Sequence, residues 1–215
     1  MDDFDDLRQS VIDGDMNRTQ ELVKKAIAEK VPAELILKEG LISAMAEVGR
    51  RFECGDFFVP EMLIAARAMK SGLTLLRPYL IAANVQAVGK VIIGTAGGDL
   101  HDIGKNLVGM MLEGAGFEVI DLGVDVTSEK YVQAVREHHP DIVACSALLT
   151  TTMLHMKDLI HALEEAGLRG QVKVMVGGAP LTESYARDIG ADLYAPDAAS
   201  AATRAKELIF ELKQI

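Results

Sequence analysis

Through roughly the first 85 residues the apolar positions recur at spacings of three and four, the period of an amphipathic helix. Phe4, Leu7 and Val11 open the series, and the turn signal Asp13-Gly14-Asp15 closes its first segment. Leu22, Ala26 and Ile27 mark a second helix. Pro32, a residue tolerated in a first helical turn, precedes a third helix whose stripe is Leu37, Leu41, Met45, Val48 and Phe52. Gly55-Asp56 ends that helix. Pro60 opens a fourth, with Met62, Ala66, Met69, Leu73 and Leu76 in alternating steps of four and three. Four helices joined by short links predict an antiparallel bundle.

Near Val88 the period changes. Val91-Ile92-Ile93 is a β-branched run that ends in glycines, as a buried parallel strand does. Similar runs follow at Phe117 to Leu122, Ile142 to Cys145, Val172 to Val176 and Asp192 to Ala195, each separated by a stretch of helix length. Such alternation needs right-handed crossovers over a parallel sheet, and five strands fit the flavodoxin-like order in which strands one and three flank the ligand crevice. The expected fold is a four-helix bundle over residues 1–86, followed by a flavodoxin-like, Rossmann-type five-stranded parallel sheet domain over residues 87–215. The stretch from Arg77 to Gly89 reads as the linker, and a hinge is expected there.

Composition agrees with two modest cores, since 49% of the 215 residues are hydrophobic. A formal net charge of -10 without a basic cluster argues against nucleic acid and against an acidic membrane surface as partners. The opening Met-Asp-Asp-Phe-Asp-Asp lacks the features of a signal peptide and no apolar run reaches bilayer length, so a cytoplasmic protein is expected. Cys54 and Cys145 have no CxxC partner, which leaves both as packed thiols.

The segment Gly94-Thr95-Ala96-Gly97-Gly98-Asp99-Leu100-His101-Asp102-Ile103-Gly104 carries the most information. Its glycines let backbone approach a bulky ligand, and it sets the Asp99 carboxylate beside the His101 imidazole. If the sheet order holds, Ser146 at the end of strand three faces the same crevice. The segment is not a phosphate loop, because five residues separate Gly98 from Gly104 and Asn106 follows Lys105 where a hydroxyl is required. It also lacks the dinucleotide spacing. Ser146, between Cys145 and Ala147, lacks the glycines of a nucleophile elbow. A divalent cation on Asp99, His101 and Asp102 remains an alternative. Thr150, Thr151 and Thr152 read equally as caps of the next helix or as contacts to a ligand.

Asp99-x-His101-x-x-Gly104, Ser146-x-Leu148 and Gly177-Gly178, in that order, resemble the three signature elements of cobalamin-binding domains. Gly49-Arg50-Arg51-Phe52-Glu53, Phe58-Val59-Pro60-Glu61 and Ala65-Ala66-Arg67-Ala68-Met69 are similar to the helical cap of methyl-transferring corrinoid proteins, so the likeness spans nearly the whole chain. The chain thus resembles a small corrinoid protein of an anaerobic methyltransferase system, related to the cobalamin module of methionine synthase.

The resemblance implies cobalamin (methylcobalamin or a related corrinoid) bound base-off, with His101 as lower ligand to cobalt and a relay through Asp99 and Ser146. It implies further cofactor contacts from Gly98, Asp102, Ile103, Gly104, Leu148, Thr150, Gly177 and Gly178, and a cap made by Phe52 and Val59. The implied partners are a substrate-specific methyltransferase, an acceptor methyltransferase using a folate or a thiol, and a reductive activator. The chain alone would then catalyse nothing. Two other functions compete: a cobalamin-responsive regulatory or storage module, and an ordinary flavodoxin-like receiver or nucleotide-binding domain.

Overall fold

The computed structural model describes residues 4–213, so the first three residues of the acidic N-terminal run lie outside it. The backbone divides into one unit of Met1–Ala87 with Glu113–Gly116 and a second of Val88–Leu112 with Phe117–Ile215.

The first unit is helical. Helix α1 spans Asp5–Ile12 and α2 spans Met16–Ala28; Asp15 caps α2 by accepting a hydrogen bond from Arg18 N at 2.9 Å. The third expected helix is a continuous rod made of α3 (Ala33–Leu35), a π-helical stretch (Ile36–Ile42) and α4 (Ser43–Glu53). The fourth is α5, Val59–Ala82, whose first turn is fastened by Phe58 N donating to Glu61 Oε2 at 2.9 Å. Gly72 of α5 lets the helices close up, since a Cβ there would stand 3.0 Å from Thr19 Cγ2 and 3.3 Å from both Leu41 and Val23. Ile36, Leu41, Met45 and Val48 are buried, each side chain contributing about 1.5–3 kcal/mol of apolar transfer.

Three sequence expectations need correction here. Ile36 rather than Leu37 enters the core, because the wider π turns rotate the stripe out of the 3.6-residue phase. The linker is shorter than Arg77 to Gly89: α5 runs through Pro78 to Ala82, held by the buried side chains of Leu76 and Leu80 on either side of the proline. Cys54 is exposed rather than packed, since it sits in the turn that closes α4.

The second unit is an α/β sandwich. Strands β1 (Lys90–Thr95), β2 (Glu118–Asp121), β3 (Ile142–Ser146), β4 (Lys173–Gly177) and β5 (Leu193–Ala195) form one parallel sheet in the order β2-β1-β3-β4-β5. This is the expected flavodoxin-like order, with β1 and β3 adjacent and their connections leaving to opposite sides of the sheet. Helices α6 (Ile103–Gly114), α7 (Ser128–His138), α8 (His155–Glu165), α9 (Glu183–Asp188) and α10 (Ala198–Lys213) complete the alternation. Ile92, Val143, Val174 and Val176 are buried on the strands, which explains their β-branched composition. Cys145 lies in this core, where burial pushes its thiol up to about 12 and makes it inert.

Candidate functional site

The site lies where β1 and β3 end. β1 hands over at Ala96 to a turn in which Asp99 N donates to Ala96 O at 3.0 Å and Gly98 takes a left-handed φ of +76°. The chain then doubles back on the Asp99 side chain, whose Oδ1 accepts from His101 N at 3.0 Å, an Asx-type turn that sets the approach to α6. Thr95, fully buried, donates its hydroxyl to His101 O at 3.0 Å and fixes the same segment from the strand side.

Asp99 is completely buried, and its two oxygens are saturated by donors. Oδ1 also meets His101 Nδ1 at 2.7 Å, while Oδ2 accepts from Thr152 Oγ1 at 2.6 Å and Leu148 N at 2.8 Å. Burial pushes the carboxyl pKa up, but the Thr152 hydroxyl and the Leu148 and His101 N–H groups outweigh it and hold Asp99 well below the usual carboxylate range. Asp99 is therefore an anion at neutral pH. An anion can only accept, so His101 Nδ1 carries a proton, and in the neutral ring Nε2 is the nitrogen with a lone pair to offer.

The surroundings of His101 fit a large apolar group bearing such a metal. The imidazole is about half exposed, at 52%, and the residues beside it in the loop, Leu100 and Ile103, are 71% and 79% exposed. Leu148 and Leu149, whose N–H groups face Asp99, are exposed too. The two segments that meet at Asp99 thus carry four exposed aliphatic side chains, apolar surface that a bound ligand would cover. Gly104 adds room, because a Cβ there would meet nothing within 4 Å. A plain cation site is less well served. Among the described residues no group of three or more His, Cys, Asp or Glu side chains could hold a metal ion.

The other expected residues take varied places. Asp102 is exposed and accepts from Asn106 Nδ2 at 3.1 Å, steadying the start of α6. Ser146 is the last residue of β3, and its carbonyl accepts from Ala96 N at 2.9 Å; its hydroxyl has no hydrogen-bond partner among the described residues. The hydroxyl on Asp99 belongs to Thr152, a residue weighed in the sequence only as a cap or ligand contact. Thr150 is exposed, and neither it nor Thr152 caps α8, whose N-cap is Leu154 without a side-chain bond. Gly178, at φ +133°, has a physical reason of its own, since a Cβ would stand 1.9 Å from Ala147 O. Gly177 is similarly close to Ala195 O, at 2.9 Å. In the helical unit Phe52 is half-buried near the end of α4, and Val59 is exposed at the start of α5. The turn between them is ordered by Glu47, which accepts from Arg51 Nε at 2.7 Å, and by the Arg51 guanidinium 5.2 Å above the Phe57 ring.

Comparison with known proteins identifies the family. The B12 binding domain family matches residues 89–203, and a second B12 binding domain family matches residues 3–77. The dimethylamine corrinoid protein 3 of Methanosarcina acetivorans is 45% identical over 204 residues, covering 95% of each chain. Trimethylamine corrinoid protein 2 of the same organism is also 45% identical over 204 residues, covering 94% of each. Among solved structures, the methanol:cobalamin methyltransferase complex MtaBC from Methanosarcina barkeri contains a chain 28% identical to this one, with a TM-score of 0.87 over 98% of this chain and 81% of that one. A relative of this chain is thus known in complex with a methyltransferase. The chain belongs to the corrinoid proteins with B12 binding domains, the family that includes those of the methylamine and methanol methyltransferase systems.

Proposed function

We propose that this corrinoid protein holds cobalt through His101 Nε2 and serves as a methyl carrier, loaded by a substrate-specific methyltransferase and unloaded by an acceptor methyltransferase that uses a folate or a thiol. The observation that carries the reading is the buried Asp99 anion bonded to His101 Nδ1, with the half-exposed imidazole set among exposed aliphatic side chains. The bound corrinoid supplies a cobalt centre that accepts a methyl group and gives it up again.

The chain's own residues handle orientation and protons. Asp99 keeps the proton on Nδ1 and aims Nε2 outward, and Thr152 and Leu148 N hold Asp99 still while it does so. Asp99 Oδ1, 2.7 Å from His101 Nδ1, would hold the ring proton at that nitrogen, and Ser146 is assigned to the same relay on the likeness to cobalamin-binding domains. Leu100, Ile103, Leu148 and Leu149 offer the apolar contact that a macrocycle requires, and Gly104 the clearance. Phe52 and Val59 are assigned to shielding the methyl group, on the likeness of their segments to the helical cap of relatives. A reductive activator completes the expected set of partners.

The experiment is direct. Apoprotein is incubated with hydroxocobalamin, freed of excess by gel filtration, and its visible spectrum is compared with that of H101A. Near-stoichiometric retention with a base-off, histidine-ligated spectrum that H101A loses is the expected result. Failure of the wild-type protein to retain any corrinoid would overturn the reading.

A further inference from the structure

The segment that carries Asp99 and His101 is held from one side by Thr95 and Thr152 and from the other by the loop between β2 and α7. That second loop is bonded through its main chain to β1 and the turn beyond it: Leu122 N donates to Ile93 O at 2.7 Å, Thr95 N to Gly123 O at 3.0 Å, Val126 N to Thr95 O at 2.9 Å, where Ala96 and Val126 form a parallel bridge, and Asp125 N to Asp99 O at 3.0 Å. A side-chain hydrogen bond to the same turn is shorter than any of these. Asp125 Oδ1 accepts from Gly98 N at 2.6 Å.

Asp125 is an exposed, non-glycine residue in the left-handed region, at φ +51°. That conformation is disfavoured for L residues and tolerated best by Asn and Asp, and it persists only where neighbouring bonds over-determine it. Here it points the Asp125 N–H and carboxylate toward the same turn. They grip the residue pair Gly98-Asp99 through its N–H and its C=O, two groups left without sheet partners once β1 has ended.

We infer that Asp125 is a positioning residue for the cobalt ligand: its two hydrogen bonds fix the backbone of Gly98-Asp99, so that the Asp99 carboxylate meets Thr152, Leu148 N and His101 Nδ1 together. The inference rests on His101 taking the cobalt, as proposed above. It goes beyond that reading by assigning a role to a loop that lies outside all three signature elements.

The test separates this role from simple loop stability with two substitutions. D125G keeps the backbone freedom that φ +51° needs and removes the acceptor, whereas D125N keeps both the acceptor oxygen and the tolerance. The first readout is residue-resolved amide exchange in the apoprotein. Leu148 N–H reports on Asp99 itself, because its acceptor is Asp99 Oδ2 rather than anything on Asp125. In D125G, exchange at Gly98 and at Leu148 is expected to quicken about tenfold or more, with β3 and β4 amides unchanged, and D125N is expected to restore the wild-type rates. The second readout is the spectrum of bound hydroxocobalamin, where D125G is expected to lose a share of the histidine-ligated form and D125N to retain it.

Quickening confined to Gly98, uniform quickening across the sheet, or an unaltered D125G spectrum would each overturn the inference. Should the wild-type protein retain no corrinoid, the function proposed above fails, and exchange at Leu148 alone then decides whether Asp125 positions Asp99.

Discussion

Asp99 is a buried charge whose stability depends on having every lone pair engaged, and Thr152 supplies the shortest of those bonds. Replacing Thr152 by Val removes the hydroxyl and little else, so T152V is expected to destabilise the apoprotein by about 1.5–3 kcal/mol, the usual loss of a hydrogen bond to a charged group. The effect has a pH signature. The folded-state pKa of Asp99 is depressed below its ordinary value of 3.8, so the stability it contributes is present in full above that value and is lost as pH falls through the folded-state pKa. The gap between wild type and T152V in urea denaturation is therefore expected to be full near about pH 7 and to begin to narrow only below the ordinary carboxyl value of 3.8, as Asp99 of the folded variant takes up its proton; a gap independent of pH down to the acid limit of folding would mean that Thr152 acts by packing alone. At this scale the pairing of Asp99 with His101 was legible, because the two lie two residues apart in one glycine-rich loop. Thr152 was not, since it lies 53 residues further on and reaches Asp99 only when the chain after β3 turns back across the end of β1. Nothing in a run of three threonines says which of them turns inward.

Elements were legible where composition alone decides them. The four β-branched runs and the weaker Asp192 to Ala195 became the five strands to within two residues at each end, and the helical spacing before Val88 became helices throughout. What periodicity missed is local rewinding. A π-helical stretch shifts the register of a stripe by part of a turn, which is why Ile36 and not Leu37 is buried, and no change in composition announces it. Gly177-Gly178 was legible as a signature but not for its own reason. The β4 end passes so close to Ala147, just beyond β3, that Gly178 leaves no volume for a side chain, at a φ that L residues avoid. G178A is accordingly expected to cost on the order of 2–5 kcal/mol from backbone strain and overpacking combined. G170A, where a Cβ meets nothing within 4 Å, is the matched control and should leave the denaturation midpoint nearly unchanged. Equal effects at the two positions would show that the Ala147 carbonyl yields without loss.

At the scale of the whole chain, the passage from the end of α5 to β1 is a short stretch of backbone with little to hold it. α5 is closed by Ala83 N, Asn84 N and Val85 N, which donate to Tyr79, Ile81 and Leu80 carbonyls, and Asn84 turns left-handed at φ +53°. Order resumes at Val88 and Gly89, whose carbonyls accept from Lys213 Nζ and Glu118 N, and at Lys90 N, which donates to Asp141 Oδ2. Gln86 and Ala87 between them are exposed and make no backbone hydrogen bond among the described residues. Local opening there disrupts nothing else, so brief digestion with a protease of broad specificity is expected to cut first within Val85–Val88 and to leave two resistant fragments. Asp99, His101, Asp125 and Thr152 all fall in the second unit, so the C-terminal fragment is expected to keep the histidine-ligated spectrum with hydroxocobalamin. A first cut in the loops after β2 or β3 would show that the site segments open more readily than the linker. A C-terminal fragment that stays folded yet binds no corrinoid would mean that the helical unit is needed for binding, and that its role extends beyond shielding a methyl group.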